Sequence, residues 1–381
     1  MNLKKIFSIS FAIIIQQITV FEIFADVNIV DIGDIKAEGV AVIDVDTGRL
    51  IYGKNENKRM AMASTTKIMT ALITLEQPDL DSYFTVDSKA IKIEGTSMGL
   101  LEGDSVCLRG LAVGMLLPSG NDAAEAAAVR IAGTQSNFIK LMNEKAISLG
   151  CTNTNFATTS GLDDDNHYST PKDMAIIARH ALMNDTFAEI CKRQYETLEY
   201  GNPPYRRTLK NHNKLLGEYQ YCIGIKTGFT DNAGRCLVSA AEKDGVRVIV
   251  VTLNSSDICE SHINIYNKVF EQIYKYTPAV KLPVHNIRVV GGEIVGAPIE
   301  KKYNSDILIV NGEENKIKNK IKLKKFLYAP VKKGEIIGEI GYYIDNKKIA
   351  VEPITVGIDV KPEKNRSFGI NLFMGLFTKK L

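Results

Sequence analysis

"MAMASTTKIMTAL", residues 60 to 72, is the stretch on which the reading of the chain turns. From Ile68 onward it has the apolar density of a buried helix, yet one turn earlier Ser64 and Lys67 stand three residues apart, which on a helix puts both on one face. A serine hydroxyl is a poor nucleophile until a neighbouring base takes its proton, and a neutral Lys67 one turn away can do that. Burial and a second cation, which we assign to Lys226, both lower a lysine pKa. The positive field at a helix start also favours a developing alkoxide on Ser64.

Ser-x-x-Lys alone is a weak signal, and the chain contains it twice. "STPK" (169–172) precedes "DMAIIARHAL", with Thr170 suited to cap a helix and Pro171 to its first position, so a helix start accounts for it. The first match has company downstream: "SGN" at Ser119–Asn121 and "KTG" at Lys226–Gly228, each present once. In this order, the three motifs form the pattern of serine enzymes that recognise penicillin. The chain resembles the serine D-alanyl-D-alanine carboxypeptidases, the low-molecular-mass penicillin-binding proteins of the β-lactamase/transpeptidase-like superfamily. The resemblance runs over most of the chain, through "STTKIMTAL", "GNDAAEAAA", "GLDDDNHYSTPKDMA", "NHNKLL" and "GIKTGFTDNAGRCLVSAA".

The resemblance implies acyl transfer: Ser64 attacks the D-Ala-D-Ala amide, D-alanine leaves, and water releases the shortened peptide, with no metal or cofactor. Ser119 would relay protons between Lys67 and the leaving amine, and Asn121 would hydrogen-bond the substrate amide. Lys226 and Thr227 would lie on a strand whose edge takes the peptide as an added strand, with Gly228 allowing close approach. Thr227 would hold the terminal carboxylate, and the backbone N–H groups of Ser64 and Phe229 would form the oxyanion hole. β-Lactams would be inhibitors.

Two departures from the family pattern stand out. Met62 occupies the place of a usual proline, and "NSSDICESHINIYNK" lacks the arginine that many relatives use for the carboxylate, leaving Thr227, Lys226 and His262. A class A-like β-lactamase is one rival, but no E-x-x-x-N spacing occurs between Asn121 and Lys226. A non-catalytic envelope module binding peptidoglycan or β-lactams is the other. Asp163, Asp164, Asp165 and His167 suggest a polar loop beside the groove; a metal site is the alternative, though no further ligands gather there in sequence. Asn211 and Asn213 read as loop ties; the other histidines have no assignment.

Outward from these motifs, "EGVAVIDVDTGRLIYGKN" reads as a hairpin, and strand patterns return at "CIGIKTGF", "RCLVSAAEK" and "VRVIVVTL". "INIYNKVFEQIYKY" reads as a terminal helix, and the region between the strand groups as mainly helical. Strands at both ends of a helical region imply an antiparallel sheet closed by sequence-distant segments and flanked by helices, an α/β (α+β) fold. Residues 30–276 are expected to form the catalytic domain and 279–362 a small all-β, sandwich-like domain. Within the latter, Lys316, Lys318, Lys320, Lys322 and Lys324 would share one strand face, a solvated edge or a surface for anionic envelope polymers.

The formal charge of +3 on 381 residues implies no nucleic-acid partner. Residues 1–25 join Lys4 and Lys5 to an apolar run, the layout of a secretory signal, with an uncleaved anchor as the alternative. Residues 365–381 read as an amphipathic helix lying on a membrane surface or docked on the protein. Export to the outer face of the cytoplasmic membrane follows from that layout. The six cysteines are scattered, suit no zinc site and receive no function.

Overall fold

The computed structural model describes residues 29–301 and 306–363. The signal and the amphipathic tail read from the sequence lie outside these residues.

A five-stranded antiparallel sheet organises the larger part. Its strands are β1 (Ala37–Asp44), β2 (Leu50–Lys54), β3 (Cys222–Thr230), β4 (Gly234–Lys243) and β5 (Val246–Ser255). Their spatial order is β2-β1-β5-β4-β3, so β1 pairs with β5 across some two hundred residues and β3 is left as an edge. The expected closure by distant segments is therefore present.

Alternation along the strands feeds two cores. Ala41 and Ile43 of β1 join one, and Val40 and Val42 the other. On the first face lie α1 (Lys67–Leu75), α2 (Leu108–Leu116), α3 (Asn121–Ala132) and α4 (Pro171–Leu182). On the second lies α5 (Ile258–Gln272). The second Ser-x-x-Lys is a helix start as read: Thr170 Oγ1 accepts from the Asp173 N–H, and Pro171 opens α4.

The central region is mainly helical, as read, and also carries a hairpin formed by Tyr195–Gly201 and Pro204–Lys210. Two expectations need correction. The helix in "INIYNKVFEQIYKY" stops at Gln272, and Ile273–Tyr276 pairs with Ile307–Val310 as a strand. In that segment, long-range pairing of β-branched and aromatic residues outweighs the helical periodicity before it. Among the five lysines, only Lys318, Lys320 and Lys322 lie in the exposed strand Lys318–Leu323; Lys316 ends a 3-10 turn and Lys324 follows the strand. That strand does form an edge, of a six-stranded sheet in the β-rich C-terminal part, which has its own apolar core.

Candidate active site

Ser64 lies in a 3-10 turn, Ala63–Thr66, that runs directly into α1. Threonine hydroxyls close this turn: Thr65 Oγ1 donates to Met62 O at 2.6 Å and Thr66 Oγ1 to Ala63 O at 2.8 Å. Ala63 is held at φ +48°, a left-handed conformation uncommon for a residue with a side chain, and Ser119 at φ +65°. Met62, where a proline was expected, is fully buried.

The Lys67 side chain is entirely buried, and its Nζ lies 2.9 Å from Ser64 Oγ, 2.7 Å from Asn121 Oδ1 and 2.7 Å from the Ser160 carbonyl. The Asn121 amide is oriented by its other end, where Nδ2 donates to Glu94 O at 2.7 Å. Asn121 Oδ1 and Ser160 O can only accept. A neutral lysine amine has two N–H bonds and one lone pair, so the two acceptors take the protons and the lone pair faces the Ser64 hydroxyl.

Electrostatics favour that neutral form. Burial first, and then the Lys226 cation, push the Lys67 pKa well below the usual lysine value, with Asp122 and Glu125 pulling the other way. Lys226, also fully buried, is pushed down to about 7 by desolvation. The Asp122 side chain is held by protein donors: it accepts from Ser97 Oγ and from the N–H groups of Met98 and Leu100 at 2.6 to 3.0 Å.

Ser64, Ser119, Asn121, Thr227, Gly228 and Phe229 line one cavity of about 670 Å³, with Lys67 and Lys226 buried beneath. The three motifs are thus brought together. Gly228 passes so close to the turn carrying Ser64 that a Cβ there would stand 3.0 Å from the N–H nitrogens of Ser64 and Thr65. Phe229 is exposed on the edge strand. Ser119 is nearly buried, and its carbonyl accepts from Thr96 Oγ1 at 2.6 Å.

Opposite β3, the 157–167 loop walls the cavity through Gly161 and Leu162, and Asp163 accepts from Thr230 Oγ1 at 2.8 Å. His167 Nδ1 accepts from the N–H groups of Ala157 and Thr158, which leaves the proton on Nε2 facing Thr66 Oγ1 at 2.7 Å. Burial lowers its pKa to about 4, so it is a neutral strut between this loop and the Ser64 turn. Among the described residues no group of three potential metal ligands occurs.

Asn211 ties its loop as expected, donating to Arg193 O at 3.0 Å and accepting from the Asn213 N–H at 2.9 Å. His262 does not reach the cavity. It is fully buried behind the sheet, 2.6 Å from Ser239 Oγ and 2.9 Å from Thr252 Oγ1, so it cannot serve a substrate carboxylate. Among the cavity residues that the sequence reading missed are His212, Lys214 and Arg235. Arg235 sits on β4, ahead of the segment in which the resemblance places an arginine, so no motif marks it. The Ser160 carbonyl had no sequence signal, since every residue carries one.

Two family descriptions match the chain in tandem: D-alanyl-D-alanine carboxypeptidase over residues 26–257, and the C-terminal domain of penicillin-binding protein 5 over residues 280–362. The chain is 32% identical over 355 residues to D-alanyl-D-alanine carboxypeptidase DacF of Bacillus subtilis, covering 90% of each. It is 29% identical over 354 residues to DacC of Escherichia coli, covering 87% of this chain and 86% of that one. Penicillin binding protein 5 from Haemophilus influenzae superimposes with a TM-score of 0.67 at 29% identity, over 86% of this chain and 98% of the other. The DD-transpeptidase of Streptomyces K15 gives 0.60 at 34% identity, over 63% and 98%.

Proposed function

The chain belongs to the D-alanyl-D-alanine carboxypeptidase family, and from that premise we infer how it acts. It is a serine D-Ala-D-Ala carboxypeptidase that removes the terminal D-alanine of peptidoglycan stem peptides through an acyl-enzyme, and penicillin inhibits it by acylating the same serine. The observation that carries the mechanism is the Lys67 amine, 2.9 Å from Ser64 Oγ with its other two contacts made to obligate acceptors.

In the first half-reaction Ser64 Oγ bonds to the carbonyl carbon of the scissile amide while Lys67 Nζ takes the hydroxyl proton. The N–H groups of Ser64 and Phe229 are the proposed donors to the resulting oxyanion. The tetrahedral centre collapses, the C–N bond breaks, and the proton passes from Lys67 through Ser119 to the departing nitrogen, so that D-alanine leaves as a free amine, which takes a proton from solvent to become the zwitterion. Water then attacks the ester by the reverse route. Asn121 orients both Lys67 and the substrate amide, Lys226 disfavours a charged Lys67, and Thr227 with Gly228 receives the peptide along the β3 edge. The buried position of Ser119 and Asn121 at the cavity supports these roles.

The activity places the protein's work in the cell envelope. Export by residues 1–25, membrane association by residues 365–381, and a division into a catalytic domain (30–276) and a β domain (279–362) complete this reading. It is supported by the basic-then-apolar start, the apolar tail and the composition change after Pro278. D-alanine release from a pentapeptide tests the function. Lys67→Ala is expected to lose at least about 100-fold, and Ser64→Ala to lose both activity and stable labelling by penicillin. Equal, negligible release by all three proteins would sink the enzymatic reading, and rapid penicillin turnover without a trapped adduct would favour a β-lactamase.

A further inference from the structure

The carboxypeptidase reading leaves one demand unmet. Such an enzyme accepts only chain ends, so its site must recognise a free carboxylate, yet the arginine expected after the last strand of the sheet is absent and His262 lies elsewhere. We propose that Arg235, on β4, is the cation that binds the C-terminal carboxylate of the peptide.

The strand register places it. In the β3–β4 ladder Phe229 is opposite Arg235 and Thr227 opposite Leu237, so Thr227, Phe229 and Arg235 project from one face of the sheet. Arg235 is exposed and lines the same cavity as Ser64 and Thr227. Its Nη1 donates to the Ser256 carbonyl at 3.1 Å, which anchors the guanidinium against the segment following β5. Among the described residues no carboxylate pairs with it, so the rest of its planar fork is available for the bidentate grip that suits a carboxylate. The segment that lacks the expected arginine therefore holds one supplied by the adjacent strand.

The rival cations are weaker candidates. Lys67 and Lys226 are fully buried. His212 has its pKa lowered by burial and then by Lys226, so it is neutral near pH 7. Lys214 also lines the cavity but comes from the loop before Leu215, not from the face that carries Thr227.

This proposal rests on the carboxypeptidase reading and is tested with a pentapeptide ending in D-Ala-D-Ala and its C-terminal methyl ester, which keeps the scissile bond and removes the charge. The wild type is expected to prefer the free acid. Arg235→Gln should lower kcat/KM for the acid about 10- to 100-fold while changing the ester by less than about twofold. Arg235→Lys should fall between, and Lys214→Gln should keep the wild-type preference. Arg235→Gln or Arg235→Lys retaining the full preference overturns the proposal, as does a preference lost in Lys214→Gln instead. A uniform loss on both substrates also overturns it, because that marks a structural role. A wild type that cleaves neither substrate overturns the carboxypeptidase reading itself, a result separable from the others.

Discussion

Lys67 can act as a base only in its uncharged form, and its neighbours decide how often it has that form. Lys226 is the nearby cation that disfavours a proton on it. Replacing Lys226 with methionine removes that repulsion, so the Lys67 pKa rises and less of the amine is neutral at a given pH. The acid limb of the pH profile for Ser64 acylation by penicillin is thus expected to move to higher pH, with a lower rate at pH 7. An unmoved limb, or one shifted to lower pH, would remove Lys226 from the electrostatics of the base. Asn121 shows a different dependence: its residue type was readable from "SGN", but its bond to Lys67 requires the amide orientation set by Glu94 O.

The turn carrying Ser64 is pinned from the side as well as from within. Thr70 Oγ1 donates to Thr159 O, and Lys67 to Ser160 O, so the polar residues of α1 fasten the 157–161 loop against it. Gly161 sits at φ +88° with its ideal Cβ position only 2.0 Å from the Ala63 carbonyl. Gly161→Ala must therefore push the Ser64 turn aside, and we expect a loss of about 3 kcal/mol together with slowed acylation by penicillin. Gly150 is the matched control: its φ of +80° is similar, but nothing lies within 4 Å of its Cβ position. Gly150→Ala should cost about 1 kcal/mol, the backbone contribution alone, and leave acylation intact. Thermal melts and penicillin labelling of both variants check this, and equal losses would mean the close contact does not matter.

Across the whole molecule, the five-stranded sheet and the C-terminal β-rich part are joined by more than the chain. Ile273–Tyr276 pairs with Ile307–Val310, and Arg49 beside the β1–β2 turn grips Glu313 with two bonds, at 2.8 and 3.2 Å, while also donating to Leu308 O. Both side chains are largely buried, at 7% and 13% exposure. Removing one partner strands the other's charge, so Arg49→Met is expected to destabilise the protein by about 3 kcal/mol. A denaturation midpoint equal to the wild type's would show the pair to be ornamental. No sequence pattern pointed to this contact, because its partners lie 264 residues apart.

The sequence by itself determined the local chemistry: which hydroxyl has a lysine one turn away, which strands alternate, where α4 starts, and that a small β-rich part follows the larger one. These are consequences of neighbouring residues, and spacing along the chain expresses them. The tertiary structure alone decided what surrounds those residues. It carried His262 into the core and lowered its pKa to about 3, turned Ile273–Tyr276 from helix to strand, set the Ser160 carbonyl against Lys67, and brought Arg235 to the cavity from a neighbouring strand. The physical reason is that burial, strand register and backbone hydrogen bonds depend on which distant segments meet.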